Sequence, residues 1–297
     1  MYKRPLHRLH LAFVTGAVIA IHAASIGGLA WMAFLLHANV PGGAIASALI
    51  AAYLFPYGVM LGIGILKRLY RPAREGAYRD PNDWECHLWY VHGCLECAAR
   101  PYYLLFNSSM LYPGALYWWA VASRAKILGR NGICLLMDVN MIEAHPSVFL
   151  TSRTYASAHV RSQDVFIIKR IRIAEGAFVG AWGAIAPGFS LGKGSSTGYA
   201  AIFGPDVTIG ERVTILGGVR FEGFTTVGDR CVIGANSYVM PRVSIGERVI
   251  VGRAVTIASS VRIGRGARIG DGAFIGEGVE IAEGEQVPEG ARVHAAA

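Results

Sequence analysis

Val243-Ser-Ile245-Gly-Glu-Arg-Val249-Ile-Val251-Gly-Arg-Ala-Val255-Thr-Ile257-Ala-Ser-Ser-Val261-Arg-Ile263-Gly decides the fold of this chain. A branched aliphatic returns every sixth residue, a small or β-branched residue stands two before it, and Gly or Ala usually follows it. Extended in both directions, the same six-residue step runs without a slip from Ile173 to Val293. Of its 21 positions, 20 are apolar and only Thr197 is not. An α-helix cannot hold a period of six on one face, and a simple strand alternates every two residues. Short strands separated by tight turns can, with three hexads closing one triangular coil, so the pattern predicts a parallel β-helix. Coils of this kind stack about 4.8 Å apart, each pairing its backbone with the coils above and below.

Upstream the register survives in pieces. Ile127 and Ile133 make one step, and Ala144, Leu150 and Ala156 make another. Ala156 and Ile173 stand 17 positions apart where three hexads take 18, which reads as a slip of the track. The excursion in between, Ser157-Ala-His159-Val-Arg161-Ser-Gln163-Asp164-Val-Phe166-Ile-Ile-Lys169-Arg170, is polar, charged and carries a histidine.

The front of the chain has a different chemistry. Residues 11–66 contain no Asp, Glu, Lys or Arg. The stretch divides at His37-Ala-Asn-Val-Pro41-Gly-Gly43 into two apolar runs, each longer than the ~20 residues a helix needs to cross a bilayer. Lys3, Arg4 and Arg8 precede the first run; Lys67, Arg68, Arg71, Arg74 and Arg79 follow the second. The loop between has no cation, so positive-inside counting predicts a hairpin with both ends in the cytoplasm. A cleaved signal peptide fits less well, because the first run is too long and a second follows at once. Residues 1–79 hold eight Lys or Arg against one Glu, +7 of the chain's net +8. The basic balance therefore labels a membrane flank and argues against a nucleic-acid surface.

Residues 80–125 are rich in aromatics, among them Trp84, Trp89, Tyr90, Tyr112, Trp118 and Trp119, and are broken by Pro101 and Pro113. They predict two or three short amphipathic helices at headgroup level. The organisation expected is thus a helical hairpin over 1–79, an aromatic connector over 80–125 and a β-helix over 126–297. Cys86, Cys94 and Cys97 share a helix face with Tyr90, but no second ligand pair follows the CxxC, so no metal is expected there.

Within the solenoid, the order of a strand ending in a small residue, His159, a polar loop, Phe166 and Ile171-Arg-Ile173 resembles the hexapeptide-repeat acyltransferases. It is similar in particular to the membrane-attached β-helix regions that end certain nonribosomal peptide synthetases. Gly180-Ala-Trp-Gly-Ala-Ile-Ala-Pro187-Gly188 is similar to a coil typical of the family, and Gly234-Ala-Asn236-Ser-Tyr-Val-Met240-Pro241 repeats it 54 residues later, three coils of 18.

The resemblance implies a left-handed coil and acyl transfer from a thioester with a histidine as general base; the three flat faces of the prism predict a homotrimer. His159 matches that histidine; Asp164 and Glu143 are candidates to orient it, and His145 is the second candidate base. The implied co-substrate is acyl-CoA or an acyl carrier thioester. The family's closing Trp-x-Gly-x-Pro-Ala segment has no match in Glu285-Gln-Val-Pro-Glu-Gly-Ala-Arg292, so neither donor is preferred. The acceptor expected is lipid-linked or peptidic, held in the bilayer beside a solenoid facing the cytoplasm. A non-catalytic trimeric scaffold is the alternative. Gly192-Lys-Gly-Ser-Ser-Thr-Gly198 lacks the spacing of a phosphate loop and keeps hexad phase. Arg262, Arg265 and Arg268 read as solvated charges, and Cys231 as a small core residue.

Overall fold

The computed structural model describes residues 5–39, 43–108, 114–122, 130–131 and 135–295. Lys3, Arg4, residues 40–42 of the expected loop, Tyr112, Pro113, Ile127 and Ile133 lie outside the described residues. The chain divides into two compact units. One comprises Met1–Ala125 with Asp138–Asn140 and Asp164–Phe166; the other holds Lys126–Met137, Met141–Gln163 and Ile167–Ala297.

The first unit is helical. Helix α1 spans Pro5–Asn39 and helix α2 Gly43–Leu69. Within them, Leu9–Leu35 and Ala48–Leu69 are long and apolar enough to cross a membrane. Gly58 and Gly62 of α2 meet α1: a Cβ at Gly58 would stand 2.8 Å from Ser25 Oγ, and one at Gly62 2.5 Å from Ile21 Cγ2. The GxxxG spacing is therefore a packing notch here. Helices α3 (Trp84–Ala99), α4 (Tyr103–Ser108) and α5 (Gly114–Ala122) follow. Asp83 caps α3 by accepting from Glu85 N, which satisfies one of its orphan donors.

Lys67, Arg68 and Arg71 of the expected basic flank are engaged inside this unit, Arg68 on the Trp119 carbonyl at 2.9 Å and over the Trp119 ring. Lys67 is fully buried, donates to Glu96 Oε1 at 2.7 Å and also to the Val121 carbonyl. Glu96 accepts from the Asp138 backbone N–H through Oε2 at 3.0 Å, and Trp89 Nε1 donates to Asp138 Oδ1 at 2.6 Å. Phe166 meets the Trp89 ring edge to face at 4.6 Å. Burial pushes the Glu96 carboxyl above its ordinary range, with the Lys67 charge pulling it back. Arg71 forks onto Glu85, with Nη1 to Oε2 at 2.9 Å.

The second unit is a parallel β-solenoid. Its strands of two or three residues stack, among the described residues, into three sheets of nine, nine and eight strands. Regular coils pair at a spacing of 18, as in Ile185 with Phe203 and Phe203 with Phe221. From Ile173 to Val287 every track residue is buried; Val293 is half-buried at the end of the stack. Thr197, the one polar member, turns its hydroxyl to accept from Gly180 N–H at 3.1 Å. Phe189, Phe203 and Phe221 stack along the axis, with Phe203 and Phe221 at 5.6 Å and 12°.

The glycines after the track are required by close approach of successive coils. A Cβ at Gly234 would lie 2.1 Å from Gly252 O, and one at Gly180 2.3 Å from Gly198 O. Cys231 is buried, as a small core residue should be.

The excursion before Ile173 differs from a one-residue slip. Ala144 pairs with Ile173, Leu150 with Val179 and Ala156 with Ile185, each 29 residues apart. Ala156 and Ile173 therefore stand on consecutive faces, one hexad apart, with eleven residues inserted into that single step. The insert forms strands His159–Ser162 and Val165–Ile168 joined through Gln163 and Asp164, with Gln163 at φ +51°. Lys169 N–H donates to Ala158 O at 2.9 Å and closes its base. One hexad of six and eleven inserted residues make 17, one short of a full coil only by coincidence.

Candidate active site

The corner where the insert leaves the stack gathers the chemistry. Ser157 ends the strand Tyr155–Ser157, and His159 opens the next strand two residues on. Ser157 Oγ donates to the His159 carbonyl at 3.0 Å and lies 3.1 Å from His159 Nδ1. A hydroxyl has one proton. With that proton on the carbonyl, Oγ accepts from Nδ1–H, which leaves Nε2 as the lone-pair nitrogen. Ser157 is buried and His159 half-buried, so the polar pair is held at the edge of the core.

Lys169 and Asp206 complete this corner. Lys169 Nζ bonds Asp206 Oδ2 at 2.6 Å and Oδ1 at 2.8 Å, tying the end of the insert to a later coil. Gly188, at φ +79°, carries no side chain beside them; a Cβ there would strike Asp206 Oδ1 at 2.4 Å. Neither Lys169 nor Asp206 stood out in the sequence, because their 37-residue separation is legible only once the insert is known to occupy one corner.

The other candidates lie elsewhere. Glu143 faces outward, bonded to Arg170 Nη1 at 2.7 Å and 3.6 Å from Arg172 Nε, its partner in strand register. Asp164 is exposed in the turn of the insert. His145 is exposed and uses Nδ1 with Ser147, whose hydroxyl lies at 2.8 Å and whose N–H donates at 3.2 Å. Lys193 of the glycine-rich coil pairs with Glu175 at 2.7 Å on the surface. Arg262 pairs with Glu280 one coil on at 2.9 Å, both exposed. In α3, burial pushes the Cys86 thiol up to about 11, so it stays protonated and inert. Among the described residues no group of three His, Cys, Asp or Glu is placed to hold a metal.

Residues 224–259 match the bacterial transferase hexapeptide family, described as six repeats. No curated protein matches the chain. Among solved structures, UDP-N-acetylglucosamine O-acyltransferase of Moraxella catarrhalis is 12% identical, over 57% of this chain and 66% of that one, with a TM-score of 0.32. The Acinetobacter baumannii protein of the same name is 10% identical over the same shares, with a TM-score of 0.34. A variant of GDP-perosamine N-acetyltransferase from Caulobacter crescentus, in complex with CoA and GDP-perosamine, is 13% identical over 50% of this chain and 53% of that one, with a TM-score of 0.23. The chain thus spans under two thirds to about half of their length, and the likeness adds nothing to the coils already traced. The solenoid itself is a parallel β-helix of hexapeptide repeats, and the match to the family model covers residues 224–259 of it.

Proposed function

We propose that this protein is a membrane-anchored acyltransferase with His159 as its general base. It moves an acetyl or longer acyl group from a thioester, acyl-CoA or an acyl carrier, to a hydroxyl or amine of a membrane-associated acceptor, lipid-linked or peptidic. The observation that carries the reading is the Ser157 hydroxyl bridging His159 Nδ1 and the His159 carbonyl. A base must present a lone pair at a fixed point; with the Ser157 proton on the His159 carbonyl, Nδ1–H donates to Oγ and Nε2 is the nitrogen that takes a proton, which supports this role. Nε2 takes the acceptor's proton as its oxygen or nitrogen attacks the thioester carbonyl. The C–S bond then breaks, and the thiolate leaves with the proton from the imidazolium. The Lys169–Asp206 pair holds the base of the insert while this happens.

Leu9–Leu35 and Ala48–Leu69 support the anchor, and the cations flanking both runs, with none in the loop between, favour a cytoplasmic side for both ends and the solenoid. Confinement to the bilayer raises the effective concentration of an acceptor that lives there. The flat outer faces of the prism suit a homotrimer. The scaffold reading draws on one observation, the insert-free run of coils from Ile173 to Val287.

The test is thiol release by the purified full-length protein with acetyl-CoA, longer acyl-CoAs and hydroxyl or amine acceptors. Acceptor-dependent release that falls at least about a hundredfold in His159→Ala is expected for a general base. No release, together with no acyl-CoA binding by calorimetry, would turn the reading to the scaffold.

A further inference from the structure

The exposed surface of the solenoid is not uniform along its length. Among the described residues, five of its six exposed aromatic side chains (Phe149, Tyr155, Phe178, Trp182 and Tyr199) precede residue 200, and the sixth is Phe224. The cations of these coils are mostly paired away from these aromatics, Lys169 with Asp206, Arg170 and Arg172 with Glu143, and Lys193 with Glu175. From Gly176 to Pro205 there is no acid at all.

These aromatics share one edge. Phe149 and Phe178 are register partners on one face, stacked at 5.8 Å and 9°. Trp182 and Tyr199 stand on the adjoining corner in successive coils, 6.4 Å apart, 49% and 60% exposed. Tyr155 begins the next face. Arg153 lies over the Trp182 ring at 4.3 Å. Arg153 and Trp182 both hold φ of +62°, as the other turn positions of the column do, so the stacking sets their backbone and leaves both side chains at the surface of the corner.

We infer that this aromatic, acid-free edge of the first coils is a lipid-contacting surface that seats the solenoid on the anionic headgroups of the bilayer carrying its own anchor. Three features select a lipid surface as the occupant. The edge is a convex ridge, which suits a deformable interface more than a rigid pocket-seeking partner. Trp and Tyr with Arg are the side chains that favour the headgroup layer, apolar at one end and polar at the other. Arg153, over the Trp182 ring in a corner free of acids, is the cation an anionic headgroup would meet there. The inference rests on the anchoring reading, and its test separates the two.

The test uses full-length protein in nanodiscs of phosphatidylcholine, with or without phosphatidylglycerol, with brominated acyl chains as the quencher. Subtracting the emission of Trp182→Phe from wild type isolates Trp182; Trp31→Phe does the same for α1. The expected result is a blue-shifted Trp182 that loses most of its intensity to bromine when phosphatidylglycerol is present. That dependence should vanish in an Arg153→Glu background. Quenching of Trp31 without Trp182 overturns the surface and leaves the anchor standing. A blue-shifted but unquenched Trp182 means protein covers the ridge, which also overturns it. An unquenched Trp31 removes the anchor, and the surface with it.

Discussion

Ser157 Oγ sits between two atoms of His159, 3.1 Å from Nδ1 and 3.0 Å from the carbonyl oxygen to which it donates. Removing the hydroxyl leaves Nδ1–H without this acceptor and frees the ring to adopt the other tautomer. Ser157→Ala is expected to lower kcat by about tenfold, the cost of roughly one hydrogen bond, with KM little changed. Steady-state thiol release on wild type and variant measures both. A parallel rise in KM would mean that Ser157 shapes the acceptor site and not the base.

Two glycines should respond differently to the same methyl group. Gly234→Ala places Cβ 2.1 Å from Gly252 O, in a stack whose backbone cannot yield locally, and is expected to cost about 3 kcal/mol. Gly266→Ala meets nothing within 4 Å but holds φ +69°, and should cost about 1 kcal/mol. Denaturant unfolding of both variants gives the ranking.

Lys67 and Glu96 are a buried pair, 0% and 6% exposed. Lys67→Met strands the carboxylate and is expected to destabilise the helical unit by about 3–5 kcal/mol. Adding Glu96→Gln keeps an acceptor for Asp138 N–H and should recover much of the loss. Unfolding in detergent, followed by circular dichroism, reads both steps.

Acid should loosen the same unit through Glu85. The Arg71 guanidinium hydrogen-bonded to Glu85, with Arg74 N–H on the same carboxylate, holds its pKa below the usual carboxylate range. A carboxyl depressed in the folded state contributes stability that is complete above its unfolded pKa of about 4.3 and is lost as pH falls through the lower folded value. Glu85→Gln should therefore flatten the acid limb of a Tm-against-pH curve below about pH 4, leaving the neutral region only offset.

Much of this was legible in the residues. The step of six from Ile173 to Val293 led to the solenoid because its period is set by local geometry, and each track residue needs only to be apolar. The apolar runs and the Pro-Gly-Gly break likewise marked α1 and α2. The corner column was not legible. Every sixth position from 176 to 290 holds positive φ, yet nine are Gly and eleven are residues such as Trp182, Asp206 and Arg242. Stacking imposes that conformation on whatever residue stands there, so composition carries no signal.

What the sequence by itself determined is periodicity and polarity: a parallel β-helix behind two helices apolar enough for a membrane, and His159 in the single polar break. What only the tertiary structure decided is which distant groups meet. Lys67 reads as a flanking cation until α3 places Glu96 against it, and Lys169 reads as a loop charge until Asp206 arrives from a later coil. The insert itself could be measured only from strand register, because eleven added residues look like a slip of one until Ala156 is seen beneath Ile185. Periodic patterns report a residue's own environment, whereas ion pairs and corners depend on chain closure over long separations, which no local rule contains.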